Sequence, residues 1–242
     1  MRLSLPHNAH QGNAPLVLDL PEDWQVTYYP LPGDGWLPLS DADIRSRLEH
    51  PIGSLPLSQL ARGKKRVCIV FDDISRGTPT HRMARAVLDI LLESGIQKEN
   101  IEFLCALGTH GAHDLQDHIA KLGPDIVHEY PVYNHNCYEN TVSLGKTSRG
   151  VDVRINQEYV RADLRIGLGA VTPHTMNGFG GGGKLLFPGI ASIDTIAQNH
   201  RTATDFLREH QLNSSKMTGN LEMRGMREEI EEMTRMALPF FK

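Results

Sequence analysis

Arg66-Val67-Cys68-Ile69-Val70-Phe71, followed at once by Asp72-Asp73-Ile74-Ser75-Arg76-Gly77-Thr78-Pro79, is the stretch that decides the fold. From Val67 the run is apolar without alternation, as in a strand covered on both faces. Pro79 then suits a first helical position, and Met83, Ala86, Val87, Ile90 and Leu91 recur on one helical face until Gly95. Ile101–Ala106 reads as the next strand. Asp114 caps a short helix carrying Leu115, Ile119 and Leu122 that stops at Gly123, and Ile126–Tyr130 and Asp163–Leu168 are further strand candidates. Strands alternating with helices predict an α/β fold, a mostly parallel sheet with helices on both faces, Rossmann-like. Ligands of such sheets sit at the carboxyl ends of the strands. That rule directs attention to the segments after Phe71, Ala106 and Leu168.

Upstream, Leu16–Leu20 and Trp24–Tyr29 read as strands around a turn at Pro21-Glu22-Asp23, and Pro30–Pro38 reads as loop. Ser40 resembles an N-cap with Asp43 three residues on. The chain has 242 residues with 25 Lys+Arg against 29 Asp+Glu, a net charge of −4. This mild acidity argues against nucleic acid as a partner, and no apolar run approaches the roughly 20 residues of a membrane span. Met1–Ala14 has no apolar core of a signal peptide. Three unevenly spaced cysteines, Cys68, Cys105 and Cys137, form no disulfide framework; Cys68 and Cys105 sit in apolar runs as small buried hydrophobes. A reducing, cytoplasmic setting fits best.

Twelve histidines are many. His110, in Leu107-Gly108-Thr109-His110-Gly111, and His174, in Thr172-Pro173-His174, each follow a strand end, where an imidazole is a natural acid/base at neutral pH. Two such groups about one carbon suit a racemase or epimerase. The run Gly178-Phe179-Gly180-Gly181-Gly182-Gly183-Lys184 begins like a phosphate-binding loop. Leu185 replaces the hydroxyl residue that would hold magnesium, and Pro188-Gly189 interrupts the helix that should follow. A backbone nest around an anionic or bulky ligand is the better reading, and phosphoryl transfer is disfavoured. His200 ends a short helix beginning near Ser192, where it complements the helix dipole or ligates a metal. Asp72, Asp73 and Arg76 form a salt bridge at a helix entry, or Arg76 grips a substrate carboxylate with its planar fork. His113 and His118 read as surface positions, and His135-Asn136-Cys137 is a weak metal-binding pattern.

Together, Asp72-Asp73-Ile74-Ser75-Arg76, Ala106–His110, Pro173-His174 with Gly178-Phe179, Gly181–Lys184 through Gly189, and Thr195-Ile196-Ala197-Gln198-Asn199-His200 resemble the lactate racemase family, whose cofactor is a nickel pincer nucleotide. The resemblance runs from about Leu16 onward and implies that 1–242 is the N-terminal cofactor and catalytic domain. It implies that Lys184 carries the nucleotide through a thioamide, with Asp73, Gly181 and Gly182 beside it, and that His200 binds nickel. It further implies that His110 and His174 are the paired acid/bases and that Arg76 holds the substrate, a small 2-hydroxyacid. Hydride would leave C2 and return on the other face. Cofactor-synthesis proteins are the implied partners. Two departures stand out: Gly111 replaces the family's arginine, and Gly180 its serine. Family members are longer, and the apolar Leu238–Phe241 is where a further element is expected to begin. A binding module without turnover is the alternative from another class.

Overall fold

The computed structural model describes residues 1–5, 14–29, 35–222 and 225–237. Most of the Met1–Ala14 stretch, part of the Pro30–Pro38 loop and the Leu238–Phe241 run lie outside the described residues. Strands are β1 Arg2–Leu5, β2 Leu16–Asp19, β3 Val67–Asp72, β4 Ile101–Ala106, β5 Val132–Asn134, β6 Thr141–Lys146, β7 Asp152–Asn156, β8 Leu164–Leu168, β9 Pro173–His174 and β10 Gly178–Phe179. Helices are α1 Asp41–Glu49, α2 Leu57–Leu60, α3 Thr80–Glu93, α4 Leu115–Leu122, α5 Pro124–Glu129, α6 Gln157–Arg161, α7 Ile193–Glu209, α8 Ser214–Met217 and α9 Gly225–Ala237.

The expected α/β architecture is present. Four strands pair in the order β5-β4-β3-β8, all parallel, with Val67 opposite both Ile101 and Leu164. Every residue of β3 is buried, yet the two-residue period of a strand still sorts them. Val67, Ile69 and Phe71 enter one core with Ile90 and Leu91 of α3 and Leu122 of α4. Cys68 and Val70 enter the other, with Ile196 of α7 and Ile230 and Met233 of α9. A strand buried on both faces has no polar side to show, which is why its sequence does not alternate. All three cysteines are free and buried, and burial pushes the Cys68 and Cys105 thiols far above their ordinary range, so both are inert hydrophobes.

Several sequence expectations need correction. Ile126–Tyr130 is not a strand; α5 covers Pro124–Glu129. Its β-branched residues mimic strand composition, but Pro124 occupies the first turn behind Gly123 at φ +83°, and Ile126 faces the core as a helical residue. Trp24–Tyr29 forms no strand either: β2 pairs backward with β1, so the turn after Pro21 leads to an exposed segment. The helix at Ser192 is capped as expected but runs on to Glu209, which puts His200 in its middle. His118 is buried against Phe71 and His113 is half-buried, so neither is a surface position. Among the described residues, no helix is long and apolar enough to cross a membrane.

Candidate active site

The segments leaving β3, β4 and β8 meet the glycine run and α7 around one cavity of about 300 Å³. Its walls include Arg76, His110, His174, Lys184 and His200 together with Gly181. The sheet delivers the first two directly, because parallel strands in register end side by side.

At the end of β4, Gly108 takes φ +58° and donates its N–H to the Gly189 carbonyl at 2.8 Å, tying the His110 loop to the turn after the glycine run. His110 Nδ1 lies 2.7 Å from Asp73 Oδ2. The other Asp73 oxygen accepts the Ser75 N–H at 2.7 Å. Burial pushes the Asp73 carboxyl up, but its hydrogen bonds from Ser75 and His110 outweigh this and hold it below the usual carboxylate range. A carboxylate only accepts, so His110 carries its proton on Nδ1 and turns an Nε2 lone pair outward. Asp73 therefore reaches the cavity through His110.

Asp72 points the other way. Its Oδ1 lies 2.7 Å from Lys121 Nζ on α4, Thr78 Oγ1 donates to its Oδ2, and Lys121 also donates to the Arg76 carbonyl at 2.8 Å. The Lys121 side chain is 0% exposed. This buried bridge anchors the loop that presents Arg76, and it gives Asp72 a cation, Lys121, from α4. Sequence reasoning passed over Lys121. The available signal was its position three residues after His118, on the apolar face of a short helix.

His174 sits on the β9–β10 hairpin, opposite Gly178. Its Nδ1 accepts the Met176 N–H at 3.2 Å, and its Nε2 lies 2.7 Å from Lys184 Nζ. Burial, then the neighbouring charges of Lys184, Arg76 and His200, lower His174 to about 4. Burial and the Arg76 and Arg227 guanidinium groups lower Lys184 to about 8. His200 Nδ1 lies 2.8 Å from the Ile196 carbonyl one turn earlier in α7. A carbonyl only accepts, so this bond leaves the His200 Nε2 lone pair for a ligand.

The glycine run is packed more than it is open. A Cβ on Gly181 (φ +75°) would stand 2.6 Å from the Ala170 carbonyl oxygen, and one on Gly183 would collide with Thr234 Oγ1 of α9. Gly181 lines the cavity, whereas Gly182 opens on the opposite side, toward Tyr159 and Arg165. After a single tight turn at Gly182–Leu185 no α-helix follows until Ile193, so the arrangement is not a phosphate-binding loop. The departures from the family pattern are sterically neutral: a Cβ at Gly111 meets nothing within 4 Å, and one at Gly180 meets Thr172 Oγ1 at 3.4 Å. Gly180→Ser is thus expected to change stability by less than roughly 0.5 kcal/mol. Gly183→Ala, which must displace Thr234 from its 2.7 Å bond to the Ile230 carbonyl, is expected to cost about 1–3 kcal/mol. Urea-denaturation midpoints of the two variants check both.

His135 is not a metal ligand here: its Nε2 lies 2.8 Å from the Ala191 carbonyl and its Nδ1 accepts from Asn156, with Cys137 buried nearby in the sequence. Among the described residues, no group of three or more His, Cys, Asp or Glu side chains is arranged to hold a metal ion.

The sequence profile described as "Lactate racemase N-terminal domain" matches residues 12–211. The chain belongs to this family. It is 35% identical over 218 residues to a lactate racemase of Thermoanaerobacterium thermosaccharolyticum, covering 87% of this chain and 49% of the relative. It is also 35% identical over 181 residues to a lactate racemase of Lactiplantibacillus plantarum, covering 74% and 41%. The chain thus spans about half the length of the curated relatives it matches. The solved structure of the lactate racemase apoprotein from T. thermosaccharolyticum superimposes with a TM-score of 0.71 at 29% identity, over 96% of this chain and 54% of that one. A Thermotoga maritima protein shares the fold, with a TM-score of 0.68 at 24% identity.

Proposed function

We propose that this lactate racemase N-terminal domain is the cofactor-carrying half of a cytoplasmic 2-hydroxyacid racemase or epimerase that works with a nickel pincer nucleotide. The observation that carries the reading is the convergence of His110, His174, Lys184, His200 and Arg76 on one cavity. The residues fit such a group. Lys184 offers a buried amine for covalent attachment, and His200 offers a single imidazole with its lone pair directed by a backbone carbonyl. Among the described residues no group of three or more metal-binding side chains gathers there, so further donors to a metal held by His200 would come from a small-molecule chelator. When bound, that group supplies a place to take up and return the hydride of the substrate C2.

The chain's residues account for the rest. Arg76, held by the Lys121 bridge beneath it, matches a carboxylate with two parallel N–H donors. His110, oriented by Asp73, takes the substrate hydroxyl proton at Nε2. His174 approaches from a different element, the β9–β10 hairpin, and serves as the second acid/base. Under this reading Asp73 is a positioning residue for His110, and Gly181 would present bare backbone to the cofactor at the cavity wall.

Chain produced together with the cofactor-synthesis proteins is expected to carry a covalent adduct on Lys184 by intact mass and to hold nickel. His200→Ala should keep the adduct and lose most of the nickel. Nickel content unchanged in His200→Ala would remove the ligand assignment, and absence of any Lys184 adduct would leave a binding module in place of the enzyme.

A further inference from the structure

We propose that His113, which plays no part in the mechanism above, is a positioning residue for the site: its neutral imidazole holds the Asp73–Ile74 peptide and, through it, the Asp73 carboxylate against His110. His113 follows His110 by three residues, in the segment between β4 and α4. Its backbone is clamped to the end of β5, where its N–H donates to Asn134 Oδ1 at 3.3 Å and its carbonyl accepts from the Asn134 amide at 2.8 Å. Its ring reaches back to the loop after β3. There the Ile74 N–H donates to His113 Nε2 at 3.3 Å, and Cys105 Sγ lies 3.5 Å from Nδ1. The two histidines thus grip one dipeptide from its two ends, His110 at the Asp73 carboxylate and His113 at the Ile74 N–H.

Hydrogen-bond direction fixes the form of the ring. A backbone N–H can only donate, so His113 Nε2 must offer a lone pair and the ring proton must sit on Nδ1, facing the Cys105 sulfur. Burial keeps the Cys105 thiol protonated, and its sulfur is a weak acceptor. An imidazolium carries protons on both nitrogens and would set one N–H against the Ile74 N–H. The contact therefore exists only with neutral His113. The peptide it holds is planar, so the Ile74 N–H and the Asp73 carbonyl turn together. That carbonyl accepts the Arg76 N–H at 3.1 Å. One lone pair of His113 thereby steadies both the carboxylate behind His110 and the turn that carries Arg76. The charged and titratable groups around the ring are Asp114, Asp117, His118 and Lys121 from α4 and its cap, Asp73 from the loop and Cys105 from β4. Burial outweighs the pull of the Asp117 and Asp73 carboxylates and sets His113 below its ordinary 6.5, so the neutral ring is the resting form at pH 7.

The catalytic consequence rests on the function proposed above. The positioning does not, and it is read in the unloaded chain by nitrogen-15 NMR of the imidazoles at pH 8. His113 and His110 should both carry their proton on Nδ1. His113→Leu removes the acceptor but still fills the space, and the Nδ1–H form of His110 is expected to fall from nearly all of the neutral ring to less than about half. His113→Gln, whose side-chain carbonyl can take the Ile74 N–H, should restore it. A residue that merely filled space would show the reverse order, with Leu harmless and Gln disruptive. In the unsubstituted chain the Ile74 amide should be slow to exchange at pH 7, and its shift should follow the His113 titration with a midpoint below 6.5. A His113 proton on Nε2, or an Ile74 amide exchanging as fast as in unfolded chain, overturns the proposal without reliance on any variant. An unmoved His110 in His113→Leu overturns it too. His110 released by His113→Leu while cofactor-loaded protein racemises at the unsubstituted rate would keep this inference and defeat the acid/base role proposed for His110.

Discussion

His110→Ala and His174→Ala, each in cofactor-loaded protein, are expected to slow racemisation in both directions by about 10²–10⁴-fold, the usual worth of a positioned acid/base. The loss is two-way because every turnover draws on both imidazoles, one to take the hydroxyl proton and one to return it. Single turnovers should separate them. One variant should still release keto acid from one pure enantiomer, and the other variant from its mirror image. Asp73→Asn adds an internal control. An amide can donate to Nδ1, which permits the wrong tautomer and withdraws the Nε2 lone pair, so the loss should be on the order of 10²-fold with the fold intact. Racemisation near the unsubstituted rate in both histidine variants would remove the paired assignment and favour a binding module.

The second large effect lies in stability. Lys121→Met is expected to destabilise the chain by about 3–5 kcal/mol, because it leaves the Asp72 carboxylate buried without its cation. Asp72 is 8% exposed, and beside Lys121 it accepts a hydrogen bond from the neutral Thr78 hydroxyl. The double variant Asp72→Asn/Lys121→Met should recover most of that loss, since it removes both charges together. Chemical-denaturation midpoints of the two variants read the difference. A loss under roughly 1 kcal/mol in Lys121→Met would mean that the bridge is not what anchors the Arg76 loop.

How far the site was legible in the sequence depends on how local each determinant is. His110 and His174 could be picked out because they follow strand ends, and strand ends in a parallel sheet share one edge. Lys184 could be picked out from its glycine neighbours, though not for the reason those glycines exist. Gly183 is small because α9 lies on it, some fifty residues later in the chain. The same distance hid the partnership of Asp73 with His110 and the pairing of Asp72 with Lys121. Adjacent carboxylates point to opposite sides of an extended backbone, so which one serves the site cannot be read from their spacing. His200 shows the converse error. Its short-range context resembled a helix end, and only the packing of α7 against α9 carries that helix on to Glu209.

By itself the sequence determined the layer architecture, the parallel sheet and the edge at which chemistry gathers, because hydrophobic run length and cap residues act over a few neighbours. It determined, too, the chemical types assembled there: two imidazoles at strand ends, an amine on a glycine loop and a histidine on the following helix. The tertiary structure decided which lone pairs are free. His110 offers Nε2 because Asp73 accepts its Nδ1–H, His200 because a helix carbonyl does the same, and His174 keeps a lone pair on Nδ1 because the Met176 N–H donates to it. Protonation states are set by partners and burial, and partners distant in the chain meet only when the fold closes.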